Sequence, residues 1–197
     1  MESIRDWGRD CWCETGCDNT CKKRFNWSFE NLPYGYDHKY VYSALGYNLK
    51  ITDMQAAIGL AQIKKLNDFI KIRKKNYLYL FNLLRKLENY FILPSAAPNS
   101  DPSWFGFPLV IKNNLIDRYK LIKYLEENNI KTRLIFAGNL TKQPYMKYHK
   151  YKKVGKLENS DMIMRNGFWV GIYPGITKEN LNKISCHLHN FITSNCK

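Results

Sequence analysis

No stretch of this chain reaches the ~18 to 20 consecutive apolar residues that a membrane span needs. No internal repeat, low-complexity tract or Gly/Ser linker interrupts it either. Acidic residues are scarce: 17 Asp and Glu stand against 31 Lys and Arg, a formal net charge of +14. The segment from Met1 to Asp6 has no basic stretch followed by an apolar run, so a cytoplasmic chain without a secretory leader is expected. In the cytosol thiols stay reduced, so disulfides are not expected. What the chain does have is material for a core. It is 197 residues long, 45% hydrophobic and 15% aromatic, with five Trp. That composition excludes intrinsic disorder and allows one large domain or two small ones.

The positive charge makes polyanions and phosphorylated substrates candidate partners. The basic residues are spread along the whole chain, however, as a Lys-, Asn-, Ile- and Tyr-rich composition would give without any function. The densest cluster, Lys147 to Lys156, interleaves charge with Tyr148, His149 and Tyr151. Such a pattern suits single-stranded nucleic acid, and it suits a solvated loop equally well.

Three regions differ in character: a Cys-, Gly- and Tyr-rich segment over 1–51, a long helix over 52–90, and an α/β unit over 91–197. Thr52 with Gln55 predicts a capping box, and Asp53 suits the first helical turn. Met54, Ala57, Ile58, Ala61, Leu66, Phe69, Ile70, Tyr77, Leu80, Leu84 and Leu87 recur at helical spacing. One helix of that length would run ~50 Å, so it is expected to bend or break. Strands are predicted at 91–93, 103–111, 131–136 and 168–173, with Pro108 marking an edge or an irregularity. A helix is expected over 115–128, and a last one from the N-cap Thr177 to Phe191, with Ile176 and Leu181 as a hydrophobic staple. The order predicts a small α/β sandwich with helices on one face of a sheet.

Cys11, Cys13, Cys17 and Cys21 are clustered, while Cys186 and Cys196 stand apart. Structural zinc favours two Cys pairs at C-x₂₋₄-C spacing, which Cys11-Trp-Cys13 does not match. Iron–sulfur ligation needs several thiolates on irregular backbone, and Gly16, Asp18 and Asn19 supply such backbone. Spacing alone leaves zinc and iron–sulfur both open. Cys186 reads as a packed core thiol of the last helix and Cys196 as incidental. His149, His187 and His189 have no motif around them and read as surface residues.

Several segments together carry a resemblance. They are Arg5 to Cys13, the C-x-C-x₇-C spacing of Cys11, Cys13 and Cys21, Pro33 to Tyr40, Gly46 to Ala57, Thr132 to Thr141, and Phe168 to Gly175. They resemble the nucleotide-sugar 3-dehydratases, the RfbH-type CDP-4-keto-6-deoxyglucose 3-dehydratases of 3,6-dideoxyhexose and O-antigen (lipopolysaccharide) biosynthesis. That family is a DegT-like branch of the aspartate-aminotransferase fold. The resemblance implies the C-terminal part of a type I pyridoxal-phosphate transferase fold. Family members are longer chains. Their catalytic His, the acidic partner of the pyridine nitrogen and a fourth cluster cysteine are expected upstream, so no catalytic residue is assigned here.

The resemblance implies pyridoxamine or pyridoxal phosphate as coenzyme and a [2Fe–2S] cluster with Cys11, Cys13 and Cys21 as ligands. Cys17 lies outside the family spacing; it reads as a loop thiol or as a substitute fourth ligand. Asn48 and Lys50 match an element that grips the coenzyme phosphate, and their place just before a helix start suits an anion; an ordinary helix entry is the plain alternative. Tyr36 and His38, with Tyr34, are candidate sugar or nucleotide contacts, or else a packed surface loop. Arg133 and Asn139 are candidate contacts to substrate phosphate, or else an exposed strand end. Ala44 departs from the family, where His is expected. The implied partners are a second subunit or the missing N-terminal half, a flavin/iron–sulfur reductase and a CDP-4-keto-6-deoxyhexose. Two other functions compete: a basic Cys₄ knuckle that binds nucleic acid, and a non-catalytic remnant that dimerises.

Overall fold

The capping box at Thr52 forms. In the computed structural model, which describes residues 1–14, 16–28, 31–112 and 115–195, the Gln55 amide donates to Thr52 Oγ1 at 3.3 Å and the Thr52 amide donates to Gln55 Oε1 at 2.8 Å. The helix it starts, α2 (Asp53–Ile63), follows a short α1 (Glu2–Arg5). It does not run on as one rod. Lys64 and Lys65 form a turn, and α3 (Leu66–Leu84) begins afresh before a 3₁₀ turn at Arg85–Leu87. The chain divides at the same place into two units, 1–64 and 65–197.

The expected apolar stripe behaves differently on the two sides of that break. α2 buries none of its residues, and Met54 and Ile58 stand exposed. In α3, Leu80 and Leu84 are fully buried, and Leu87 just beyond is buried. Only the later part of the stripe therefore contributes to a core.

The second unit is built on a four-stranded antiparallel sheet in the order β1-β2-β4-β3, from β1 (Phe91–Ile92), β2 (Gly106–Ile111), β3 (Thr132–Leu134) and β4 (Gly167–Gly171). Alternation along β2 sends Phe107, Leu109 and Ile111 inward. Leu109 pairs with Phe168. Pro108 fits because β1 reaches only Val110, so β2 has a neighbour on one side at that point. β3 stops earlier than expected, and Phe136 adopts a left-handed φ of 46° just beyond it. Its turn is closed by a hydrogen bond from the Phe136 amide to the Leu134 carbonyl at 2.7 Å.

α4 (Arg118–Glu127) starts on Asp117, whose carboxylate accepts from the amides of Tyr119 and Lys120. α6 (Lys178–Asn195) starts on Thr177, whose hydroxyl accepts from the Asn180 amide. Leu121, Leu125, Leu181 and Leu188 join the α3 leucines and the inward strand residues in one core. Each fully buried Leu or Phe there is worth roughly 1.5–3 kcal/mol.

Several expectations need correction. Cys186 is exposed rather than packed. Leu181, Ser185, Leu188 and Ile192 occupy the buried face of α6, and Cys186 falls on the other side. His187 and His189 are half-buried and bonded, His187 to the Tyr124 hydroxyl and His189 to the Leu83 carbonyl. A helix absent from the sequence reading, α5 (Glu158–Asn166), precedes β4. Cys196 lies outside the described residues.

Candidate metal centre

Within the first unit, two glycines let the chain fold against itself. Gly8 has φ +80°, and a Cβ there would fall 1.8 Å from the Ala44 carbonyl oxygen. A Cβ on Gly46 would fall 2.2 Å from the Gly8 nitrogen. That close approach lets the Trp7 amide reach the Tyr47 carbonyl, the Ser43 amide reach the Gly8 carbonyl, and the Asp10 amide reach the Val41 carbonyl. The segment leading into the cysteines is thus laid along the segment that follows His38.

His38 opens a 3₁₀ turn, His38–Tyr40, capped by Asp37, which accepts from the Lys39 amide at 3.0 Å. Arg24 ties the preceding loop down by pairing with both Asp37 and Asp18 at 3.1 Å, and its own carbonyl accepts from the His38 amide at 2.8 Å. The imidazole has no exposed surface. Trp27 stacks on it at 4.7 Å with planes 7° apart, and Trp12 meets it edge-on at 5.4 Å. Lys23 sits 3.8 Å above the Trp27 ring.

The thiols gather beside this histidine. Cys21 is buried, and its Sγ lies 3.7 Å from His38 Nδ1. On the ring's other side, His38 Nε2 is 2.7 Å from Asp10 Oδ2. Donor atoms of Cys11, Cys21 and His38 all fall within 4.8 Å of one another. Cys13 lies beside that group without being one of its three donors: its Sγ accepts from the Cys21 amide at 3.4 Å. Cys17 is exposed and outside that group.

The two ends of the Cys11-Trp-Cys13 element differ in acidity. The Thr20 hydroxyl, and then the Cys21 amide, stabilise the Cys13 thiolate and lower its pKa to about 6. Burial pushes the Cys11 thiol above its ordinary value. The hydrogen bond from His38 holds the Asp10 carboxyl below the usual carboxylate range. Neighbouring thiols with one member readily ionised are what a metal centre requires, because thiolates are the ligands.

A cavity of about 250 Å³ opens onto Cys11, Cys13, Cys21, His38 and Lys50. Lys50 lies 3.9 Å from the Asp6 carboxylate, and Asn48 bridges to Asp6 through the backbone. The coenzyme and cluster candidates therefore meet in one unit. Tyr36 and Tyr34 are exposed on the same unit, whereas His38 turns away from solvent and toward the thiols.

The remaining two candidates belong to the second unit. Arg133 is exposed at β3 and donates to the Thr132 carbonyl. Asn139 is buried with its amide engaged: Nδ2 donates to Asp161 at 2.6 Å, while Oδ1 accepts from the Thr141 amide and hydroxyl. Asp10, Thr20 and Trp27 were not singled out from sequence. Asp10 stands directly before Cys11, which is the one signal that pointed to it.

The profile of the DegT/DnrJ/EryC1/StrS aminotransferase family matches residues 18–189. The lipopolysaccharide biosynthesis protein RfbH of Salmonella typhimurium is 53% identical over 99% of this chain and 45% of its own length. A dTDP-4-dehydro-2,6-dideoxy-D-glucose 3-dehydratase of Saccharopolyspora spinosa is 47% identical over 98% of this chain and 42% of its own. Among solved structures, an E. coli GDP-4-keto-6-deoxy-D-mannose-3-dehydratase with bound hydrated PLP superposes with a TM-score of 0.71 and 28% identity, over 77% of this chain and 39% of that one. The chain spans less than half the length of the curated relatives it matches.

Proposed function

Because the chain belongs to the DegT/DnrJ/EryC1/StrS aminotransferase family, we propose that it is the C-terminal part of a nucleotide-sugar 3-dehydratase. Its three converging thiols hold a [2Fe–2S] cluster. The observation that supports this reading is that Cys11, Cys13 and Cys21 line one cavity, with the Cys11 and Cys21 donor atoms within 4.8 Å of each other and Cys13 Sγ accepting from the Cys21 amide. An aminotransferase-like chain that only exchanged amino groups would have no use for them. The Cys₄ nucleic-acid reading has less support, since Cys17 is exposed where Cys11 and Cys13 are half-buried and Cys21 is buried.

Asn48 and Lys50 would hold the coenzyme phosphate, one by amide donation and one by charge. Bound pyridoxamine phosphate supplies an electron sink for loss of the sugar hydroxyl. The chain's own residues would grip the phosphate and place the thiols on the same cavity, while Trp12 and Trp27 pack against His38 beside them. The substrate in this reading is a CDP-4-keto-6-deoxyhexose, the setting O-antigen synthesis in the cytoplasm, the assembly a dimer, and the electron donor a flavin/iron–sulfur reductase. The proton-moving base and the partner of the pyridine nitrogen belong to the remainder of the enzyme, so the chain is inactive alone.

Complementation tests this. The chain mixed with the remaining portion of the Salmonella relative should bind the coenzyme, dimerise and consume the sugar nucleotide when reductase and NADH are present. Lys50→Ala should weaken coenzyme retention more than folding. Turnover by the chain alone would refute the partial-enzyme reading, and a silent mixture would favour a non-catalytic remnant.

A further inference from the structure

We propose that the arm over 145–156 is a docking surface for an anionic lipid bilayer, its lysines lying over the headgroup phosphates and its tyrosines and Val154 entering the interface. The inference stands apart from the cluster and coenzyme readings and rests on the second unit alone.

Every residue from Lys147 to Lys156 is exposed, Tyr148 to 85% and Val154 to 77%. The arm is nonetheless held at its root. Asn139 and Lys142 both bond the Asp161 carboxylate, at 2.6 and 2.9 Å, and the Gln143 side-chain amide donates to the Ala137 carbonyl. No Asp or Glu falls between Glu127 and Glu158, while five lysines fall within 147–156. Among the described residues, Lys147, Lys150, Lys152 and Lys153 form no ion pair, and Lys156 has only the exposed Glu158 at 3.8 Å. Like charges this dense repel one another, and an anionic surface relieves that repulsion.

The order of the residues is amphipathic. Tyr145, Tyr148, Tyr151 and Val154 recur every third residue, and so do Lys147, Lys150, Lys153 and Lys156. Three residues per turn is the period of a 3₁₀ helix, which Pro144–Tyr148 adopts, and of an extended polyproline-type chain. In both, side chains three apart share an edge, so an apolar edge runs beside a cationic one. Tyrosine suits the boundary of a bilayer, with its ring in the apolar layer and its hydroxyl in water. Lysine lays its methylene stem on the same boundary and keeps its charge among the headgroups. Clusters of about four to eight basic residues on an amphipathic element are the pattern that recognises acidic lipid. A nucleic acid is the poorer fit. The arm has no arginine, whose fork matches phosphate, and it is exposed along its length rather than folded into a groove that could track a strand.

The test is co-sedimentation of the full chain with lipid vesicles. Retention is expected on vesicles of phosphatidylcholine mixed with phosphatidylglycerol, not on phosphatidylcholine alone, and it should fall as salt is added. Lys147→Gln, Lys150→Gln, Lys152→Gln and Lys153→Gln together should weaken it several-hundred-fold, at about fivefold per lysine. Lys64→Gln, Lys65→Gln, Lys71→Gln and Lys75→Gln together remove the same charge from other exposed positions and should leave it nearly unchanged. Tyr148→Ser, Tyr151→Ser and Val154→Ser together should weaken it with every charge in place. All the substituted side chains are exposed, so the variants should unfold in urea as the wild type does. No retention, equal retention on phosphatidylcholine alone, equal behaviour of the two lysine variants, or an unaltered tyrosine variant would overturn the proposal. So would tighter binding to a single-stranded oligonucleotide than to the vesicles, which would make nucleic acid the partner.

Discussion

Asp10 and His38 are 28 residues apart in sequence and 2.7 Å apart in space, carboxylate to imidazole. This contact pins the cysteine segment to the loop that follows it. Asp10→Ala would leave a buried ring nitrogen without its acceptor, at a cost of about 1–3 kcal/mol. Because folding lowers the carboxyl pKa, the contribution is present above the ordinary value of 3.8 and is lost as pH falls through the lower folded value. Urea unfolding of both proteins should show a stability gap at neutral pH that closes below that value. A gap that widens in acid would contradict the pairing.

Cys13 should be the reactive member of the cluster segment in metal-free protein. With a pKa of about 6 it is largely thiolate at neutral pH, whereas Cys11 is pushed above 9.0. Alkylation followed by peptide mass spectrometry should modify Cys13 well before Cys11, and the Cys13 rate should fall as pH drops through 6. Thr20→Val removes the largest cause of the shift and should slow that labelling. Equal rates at Cys11 and Cys13 would contradict the assignment.

The two units should answer differently to truncation of an apolar side chain. Phe168 is fully buried in β4, so Phe168→Ala should cost about 3–5 kcal/mol in urea unfolding. Ile58 in α2 is 65% exposed, and Ile58→Ala should cost less than ~0.5 kcal/mol. A large loss at Ile58 would mean that another surface covers α2.

Local chemistry was what the sequence displayed best. The caps at Thr52 and Thr177 depend on near neighbours and both form, and the strand expected over 103–111 forms as β2 from Gly106. The length of the stripe announced a bend or break, but its place at Lys64–Lys65 gave no signal, because neither Gly nor Pro marks it and both lysines keep right-handed helical angles. α5 begins at Leu157 without any side-chain cap, so nothing announced its start. Cys186 was misplaced because apolar neighbours surround it in sequence while the helix turns it outward. In the site, the clustering of the cysteines was visible in the sequence, and the resemblance singled out Cys11, Cys13 and Cys21 among them. The burial of His38 between Cys21 and Asp10 was not visible: these partners lie 17 and 28 residues away across irregular backbone, where no periodicity links them.

Metal and sulfide analysis of the anaerobically reconstituted chain tests the central claim most directly. Iron and acid-labile sulfide should be present in equal amounts, with charge-transfer bands in the visible that disappear in a Cys11→Ser, Cys13→Ser, Cys21→Ser triple variant. Stoichiometric zinc with no bound iron would contradict it.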